Sequence, residues 1–324
     1  MPTVSAAHEL FDTEVYLDLR KLLGTKLFVK FEGFNFAGSV KLRAASWMVA
    51  AAERDGLLRP GCTLIESSSG NLGVALAVVA AGKGLPFVCV TDLKCNTATL
   101  RLIRALGAQV VVVEGTDDSG SHLEARKAYI REKCADDGTY VWLNQYENPA
   151  NWMAHYDTTA PLLAKRFPDL DVLFVATGTG GTLTGCARFF RDHQPGVRVV
   201  AVDSDGSVNL GGKTGPRHIP GIGASAPMPL IEPELVHDVV RVPETDTLRM
   251  CRRLAAQGLL LGGSSGTVIS GALRWLGTHD PDQSLTAVSI APDLGERYLD
   301  SVYDDDWVAD AYGAATVAGW SFDA

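Results

Sequence analysis

The chain reads as an α/β protein folded in two lobes, and three observations lead there. Short β-branched and aromatic runs alternate with longer amphipathic or apolar segments along the whole sequence. At 324 residues and 46% hydrophobic, the chain can bury more core than a single lobe commonly holds. Several strand-to-helix connections are crowded with glycine, serine and threonine, the residues that expose backbone N–H groups and hydroxyls to a ligand.

Taken in order, strands are expected over residues 27–32, 63–67, 87–91, 110–114, 141–144, 172–176, 199–203 and 286–290, each rich in Val, Ile, Phe or Leu. Apolar helices are expected over 44–52, rich in alanine, and over 74–81, where alanine, valine and leucine run unbroken. Amphipathic helices are expected over 97–106, 121–132 and 246–256, and a further apolar helix after Thr267. No repeat, low-complexity tract or linker interrupts this pattern. The run Asp304-Asp305-Asp306 reads as a solvated turn.

Composition narrows the function. A net charge of −9 with no basic run argues against nucleic acid. No apolar run is long enough to span a bilayer and no signal peptide is evident, which leads us to expect a cytoplasmic protein. The six cysteines show no metal spacing and are expected as reduced core or surface thiols, with no metal site.

Four segments carry chemistry. Lys41 follows Asn35-Phe36-Ala37-Gly38-Ser39-Val40 and opens an apolar helix. An amine there is expected to lose hydration and have its pKa lowered, which equips it to form an imine with a carbonyl. An isolated lysine would more often run its stem along the helix and reach water, and the other segments outweigh that reading. Leu64-Ile65-Glu66-Ser67-Ser68-Ser69-Gly70-Asn71 is a strand, a hydroxyl-rich turn and a helix start. Simple capping needs one polar side chain and four in five positions exceed that need, so an anion such as an amino-acid carboxylate is expected here. The run Asp171 to Ala176 ends in Thr177-Gly178-Thr179-Gly180-Gly181-Thr182, suited to a phosphate held by N–H groups and hydroxyls. A dinucleotide loop is excluded because the third glycine of the G-x-G-x-x-G register is Leu183. Gly262-Gly263-Ser264-Ser265-Gly266-Thr267 opens another helix and by itself fits a ligand turn or an ordinary cap equally well.

In this order the segments resemble the fold type II pyridoxal-phosphate enzymes, in their cysteine synthase-like β-replacement branch. The resemblance runs from about Lys26 to Trp307. It includes Gly38 to Lys41, Ser69-Gly70-Asn71, Asn148-Pro149-Ala150-Asn151 with His155, Thr177 to Thr182, Gly221-Ile222-Gly223-Ala224, Gly263 to Gly266, and Pro292-Asp293-Leu294-Gly295-Glu296-Arg297-Tyr298-Leu299. It implies a tryptophan synthase β-like fold, each lobe an open, mostly parallel sheet flanked by helices. The smaller lobe would span 37–140, and 1–36 with 141–324 would form the larger. It further implies pyridoxal 5'-phosphate as cofactor, small amino-acid substrates, no membrane or nucleic-acid partner, and a homodimer.

The resemblance also implies roles. Lys41 would be the catalytic residue, carrying the cofactor as a Schiff base and removing the α-proton. Asn71 would meet the ring hydroxyl, and Gly178, Thr179, Gly180, Gly181 and Thr182 the cofactor phosphate. Ser264 would face the pyridine nitrogen, and a serine rather than an acid there leaves that nitrogen mostly unprotonated. Ser67, Ser68, Ser69, Asn71 and Gln145 would receive the substrate carboxylate, and Gly221, Gly223 and Ser225 would line the mouth. His155 would pack or hydrogen-bond structurally. The reaction would pass through an aminoacrylate.

Departures point to a narrower branch. Ser225 replaces a usual glycine, Leu42 a usual aspartate, and Thr13-Glu14-Val15-Tyr16 a usual N-terminal strand. The features Gln145-Tyr146, Pro220 to Ser225 and Arg297-Tyr298-Leu299-Asp300 resemble enzymes that join O-phospho-L-serine and L-glutamate, releasing phosphate. Their product, N-(2-amino-2-carboxyethyl)-L-glutamate, leads to L-2,3-diaminopropionate in siderophore and peptide-antibiotic biosynthesis. Such substrates demand positive charge, for which Arg126 and then Arg217 are candidates, with Tyr146 as a further hydrogen-bonding group. The alternatives are a cysteine synthase using sulfide with O-acetyl- or O-phosphoserine, a serine/threonine dehydratase, and a non-catalytic binding scaffold.

Overall fold

The computed structural model describes residues 3–11, 14–117 and 120–318. Ten strands occur among them: β1 (Tyr16–Asp18), β2 (Phe28–Phe31), β3 (Thr63–Ser67), β4 (Phe87–Asp92), β5 (Gln109–Val113), β6 (Tyr140–Trp142), β7 (Val172–Ala176), β8 (Arg198–Ser204), β9 (Asp238–Val242) and β10 (Ala287–Ala291). They form two sheets in two compact units.

The first unit, residues 3–11 and 34–154, has an all-parallel sheet ordered β5-β4-β3-β6. Parallel strands need both faces covered. One face is covered by Lys41–Arg54 and Asn71–Lys83, whose Met48, Val49, Leu76 and Val79 are fully buried. The other is covered by His122–Asp136 through Ile130 against Ile65, Val88 and Val90. Asn71–Lys83 is apolar on nearly every side because it is buried nearly all round.

The boundaries expected from the resemblance, 37–140, move outward. Strand β6 pairs with β3, and Pro149–Ala154 follows it with Ala150 in the same core, so 141–154 belong to the smaller unit. Residues 3–11 join it as well: Ala7 and Phe11 pack on that core, and Arg43 Nη2 donates to the Phe11 carbonyl at 2.8 Å.

The second unit, residues 14–33 and 155–318, has a sheet ordered β1-β2-β10-β7-β8-β9. All neighbours are parallel except β1, which runs antiparallel to β2. Gly263–His279 and Glu244–Ala255 share a core with Phe174, Val200 and Val202, while Gly181–His193 and Ala160–Arg166 share one with Leu173, Val175 and Val199.

The expected strands recur within two residues of their predicted bounds. Two further strands, β1 and β9, were not expected: both are sheet edges, β1 only three residues long, while β9 carries three valines that the sequence reading passed over. The segment that departs from the family at residues 13–16 partly forms β1, with Tyr16 opposite Lys30, while Thr13 lies outside the described residues. Asp304 is not in a loose turn: its side chain accepts from the Trp307 N–H at 2.7 Å and caps Asp305–Tyr312. All six cysteines are free thiols. Among the described residues no helix is long and apolar enough to cross a membrane, and no cluster of His, Cys, Asp or Glu could hold a metal.

Candidate active site

In the first unit, Lys41 is half-buried at the first position of its helix. The turn before it is tied by Asn35, whose amide donates to the Ser39 carbonyl while its side-chain oxygen accepts from the Ala37 N–H, both at 3.0 Å. Gly38 takes the left-handed conformation (φ 64°) that closes this turn, one that side chains resist.

Strand order brings the next group together. From β3 the chain winds through β4 to β5 on one side, while β6 lies on the other, so the loops leaving β3 and β6 meet at a switch point. Gln145 Nε2 accordingly donates to the Ser67 carbonyl at 2.7 Å, and the Tyr146 hydroxyl lies 3.3 Å from Ser67 Oγ. The serines divide the work that sequence could not divide. Ser68 Oγ accepts from the Gly73 N–H at 2.9 Å and so caps the helix itself, while Ser69 and Asn71 remain partly exposed.

Beneath lies Glu66, which the sequence reading passed over as a strand residue. It is fully buried and accepts from the Ser67 N–H (2.7 Å), the Gln145 N–H (3.1 Å) and Trp142 Nε1 (3.1 Å). Burial pushes its pKa up to about 7 against these bonds. Arg126 is buried too, 3.3 Å from Asp92 Oδ2 at the end of β4. That contact is made by Nε as an ion pair without hydrogen-bond geometry, and Nη1 has no hydrogen-bond partner. The charge of Arg126 is felt by both Glu66 and Tyr146, whose hydroxyl is pushed up to about 12 by burial.

In the second unit, β7 runs into Gly178-Thr179-Gly180-Gly181-Thr182, and a helix starts at Gly181. Gly180 has φ 92°, and a Cβ there would sit 2.5 Å from Ile231 Cγ1; one on Gly178 would sit 3.1 Å from the Gly221 carbonyl. No side chain caps this helix, so its first N–H groups stay available. Asn209 Nδ2 donates to the Gly178 carbonyl (3.1 Å), and the Gly223 N–H donates to the Thr177 carbonyl (2.8 Å). His155 is buried between two hydroxyls, Thr159 Oγ1 at 2.9 Å and Thr182 Oγ1 at 3.2 Å. That is the structural role expected of it.

Gly221 and Gly223 both have positive φ, and Ser225 is exposed. Arg217 donates to the Ile222 carbonyl (3.2 Å) and Ser225 Oγ (2.9 Å), and part of its guanidinium is spent on pinning that turn. Ser264, at the start of Gly263–His279, is buried and donates to Asp293 Oδ1 at 3.1 Å. Asp293 and Asn209 were legible only as a family motif and a loop residue; the signal for each is the neighbour it holds, which is distant in sequence.

These donors fit pyridoxal phosphate. The loop after β7 presents helix N–H groups, threonine hydroxyls and a backbone that only glycine lets approach so closely, as a phosphate monoester requires. The buried Thr177 Oγ1, without a partner in the structure, is consistent with a polar ligand at this loop. In the first unit, Lys41 is a half-buried primary amine.

Comparison with known proteins agrees. The family model described as pyridoxal-phosphate dependent enzyme matches residues 11–293. An N-(2-amino-2-carboxyethyl)-L-glutamate synthase of Ralstonia nicotianae is 42% identical over 88% of this chain and 84% of its own length. One of Cupriavidus metallidurans is 40% identical over 90% and 88%. Among solved structures, an O-ureido-L-serine synthase superposes with a TM-score of 0.85 at 33% identity, over 95% of this chain and 100% of that one. An O-acetylserine dependent cystathionine beta-synthase from Helicobacter pylori gives 0.84 at 28%, over 93% and 99%. The chain therefore belongs to the pyridoxal-phosphate dependent enzymes, as a fold type II, cysteine synthase-like β-replacement synthase with pyridoxal phosphate as its cofactor.

Proposed function

We propose that this enzyme joins O-phospho-L-serine to the amine of L-glutamate, breaking the Cβ–O bond, releasing phosphate and forming N-(2-amino-2-carboxyethyl)-L-glutamate for L-2,3-diaminopropionate synthesis. The observation that carries this reading is Arg126. Its Nε is held by Asp92 only as an ion pair and its buried Nη1 has no hydrogen-bond partner, which leaves donors for a second anion. Sulfide has no need of such donors, whereas a phosphate or a second carboxylate does. The curated relatives at 40–42% identity, named for that product, support the same choice.

When bound, pyridoxal phosphate supplies the electron sink that lets an amino acid release its α-proton and β-substituent. Lys41 Nζ takes the α-proton as general base. Ser69, Asn71 and Gln145 bind the α-carboxylate, on a turn that Ser67 and Ser68 shape. Asn71 also meets the ring hydroxyl, and Gly178 to Thr182 hold the cofactor phosphate. Arg126, with Tyr146 beside it, binds the substrate phosphate or the carboxylates of glutamate. Gly221, Gly223 and Ser225 shape the mouth, held by Arg217.

The test is product analysis by mass spectrometry with O-phospho-L-serine and either L-glutamate or sulfide. The glutamate adduct with stoichiometric phosphate supports the reading; cysteine from sulfide with no glutamate adduct overturns it. Arg126→Ala should lower kcat/KM for one of the two substrates by about 10²-fold, roughly the loss of one buried charged hydrogen-bonding partner, with cofactor content unchanged. Arg126→Lys keeps the charge without the fork and should recover part of that loss.

A further inference from the structure

The turn Gly221-Ile222-Gly223-Ala224-Ser225 is tied down at three points. The Gly223 N–H donates to the Thr177 carbonyl at 2.8 Å, in the loop after β7, and the Ala224 N–H donates to Ser207 Oγ at 3.0 Å, in the loop after β8. Arg217 supplies the third tie: its Nη1 donates to the Ile222 carbonyl at 3.2 Å and its Nη2 to Ser225 Oγ at 2.9 Å. Glycine at 223 makes room for that guanidinium, because a Cβ there would fall 2.6 Å from Arg217 Nη1. The guanidinium also feels Asp203, wholly buried in β8, whose pKa burial pushes up only to about 6. No hydrogen bond joins the two: Asp203 Oδ2 and Arg217 Nε are both without a partner.

The ties are unequal. Thr177, Ser207 and Ile222 are buried, whereas Ser225 is exposed, so its hydroxyl is the one acceptor of Arg217 that a ligand at the mouth can reach. A guanidinium bonds a carboxylate more strongly than a neutral hydroxyl. A serine hydroxyl can also turn: Ser225 accepts from Arg217, yet has a proton of its own to give to an anion. Nη2 and Ser225 Oγ are thus adjacent donors that one planar carboxylate can engage together. A glycine at 225 would offer no hydroxyl.

We infer that Arg217 and Ser225 are specificity-determining residues that bind the side-chain carboxylate of the L-glutamate nucleophile at the mouth of the site. This rests on the proposed glutamate reading and deepens it. Ser225 gives up the bond it accepts from Arg217 and donates one to the carboxylate, which Arg217 Nη2 binds alongside. Arg217 therefore braces the turn until the nucleophile arrives and reads its charge once it is there. The departure from glycine at 225 adds a donor that sulfide, which carries no carboxylate, has no use for.

The experiment compares L-glutamate with sulfide as nucleophile on the holoenzyme at saturating O-phospho-L-serine, for the wild type, Arg217→Ala, Arg217→Lys and Ser225→Gly, with products measured by mass spectrometry. If the wild type takes no sulfide, L-glutamine, alike in shape but without the charge, replaces it. The ratio of the two kcat/KM values cancels whatever the turn contributes to the phosphoserine step. Arg217→Ala should lower that ratio by about 10- to 100-fold, the loss of a charge-assisted hydrogen bond, chiefly by raising KM for glutamate. Arg217→Lys should recover part of the loss, and Ser225→Gly should lower the ratio by less than Arg217→Ala does. If Arg217→Ala does not fold, Arg217→Lys and Ser225→Gly carry the test, and each should fall below the wild-type ratio. An unchanged ratio, or equal losses with both nucleophiles, leaves Arg217 a brace of the turn and overturns the inference. A wild type that forms no glutamate adduct sinks the glutamate reading and the inference with it. An adduct in the wild type with the ratio unchanged in the variants sinks only the roles of Arg217 and Ser225.

Discussion

The turn after β3 and the turn after β7 have the same plan, a parallel strand running into a helix, yet they are built from opposite materials. In the first unit the proposed working groups are side chains, Lys41, Ser69, Asn71, Gln145 and Arg126, with the buried Glu66 bonded to the Gln145 N–H. In the second the proposed ones are backbone N–H groups and small residues, and the side chains nearby, Asn209, His155 and Arg217, brace the loops. The difference teaches where each unit is vulnerable. The first should suffer when atoms are removed, the second when they are added.

The largest effect expected is from Lys41→Ala. Removing the proposed general base should lower turnover by about 10³-fold or more, with the fold retained by circular dichroism. Near wild-type turnover would break the assignment of side-chain chemistry to the first unit. Next comes one added carbon in the second unit. Gly180→Ala combines a left-handed backbone with a Cβ 2.5 Å from Ile231, and should cost about 3 kcal/mol in denaturant unfolding and weaken cofactor binding. If it is tolerated without loss, the glycine turn is not as tight as its geometry implies.

Glu66 sharpens the comparison through pH. Its folded pKa, about 7, lies above the ordinary 4.5, so the folded state keeps this proton longer than the unfolded chain does. Its contribution to stability is therefore greatest below pH 4.5 and declines as pH rises to 7, by on the order of 2–3 kcal/mol. Glu66→Gln should remove that slope, leaving a deficit against wild type that is larger at pH 5 than at pH 8 by calorimetry. Parallel curves would assign the slope elsewhere. The smallest effect is expected from Ser68→Ala, which leaves the Gly73 N–H only the Gly70 carbonyl as acceptor and should cost about 1 kcal/mol. A loss of substrate affinity exceeding that stability change would return Ser68 from capping to ligand binding.

Much of this molecule was legible in its sequence. Strand and helix periods, the glycine loop after β7, the lysine opening its helix and the serine turn all rest on local backbone preference and hydrophobic pattern, which neighbours in sequence suffice to set. The edge strand β1 escaped because three half-buried residues carry no period; β9, with three valines, was legible and was passed over. The residues that tune the site escaped for a different reason. Glu66 gains its raised pKa from burial, against hydrogen bonds from Trp142 and Gln145, 76 and 79 positions away, that strand order brings to it. Asp293 reaches Ser264 across 29 positions, and only because β10 lies beside β7 and residue 262 has no side chain. Sequence by itself determined which elements form and which residue types stand at the strand ends. Tertiary structure alone decided their protonation and polarity, because those depend on burial and on partners that only the packed sheets bring within reach.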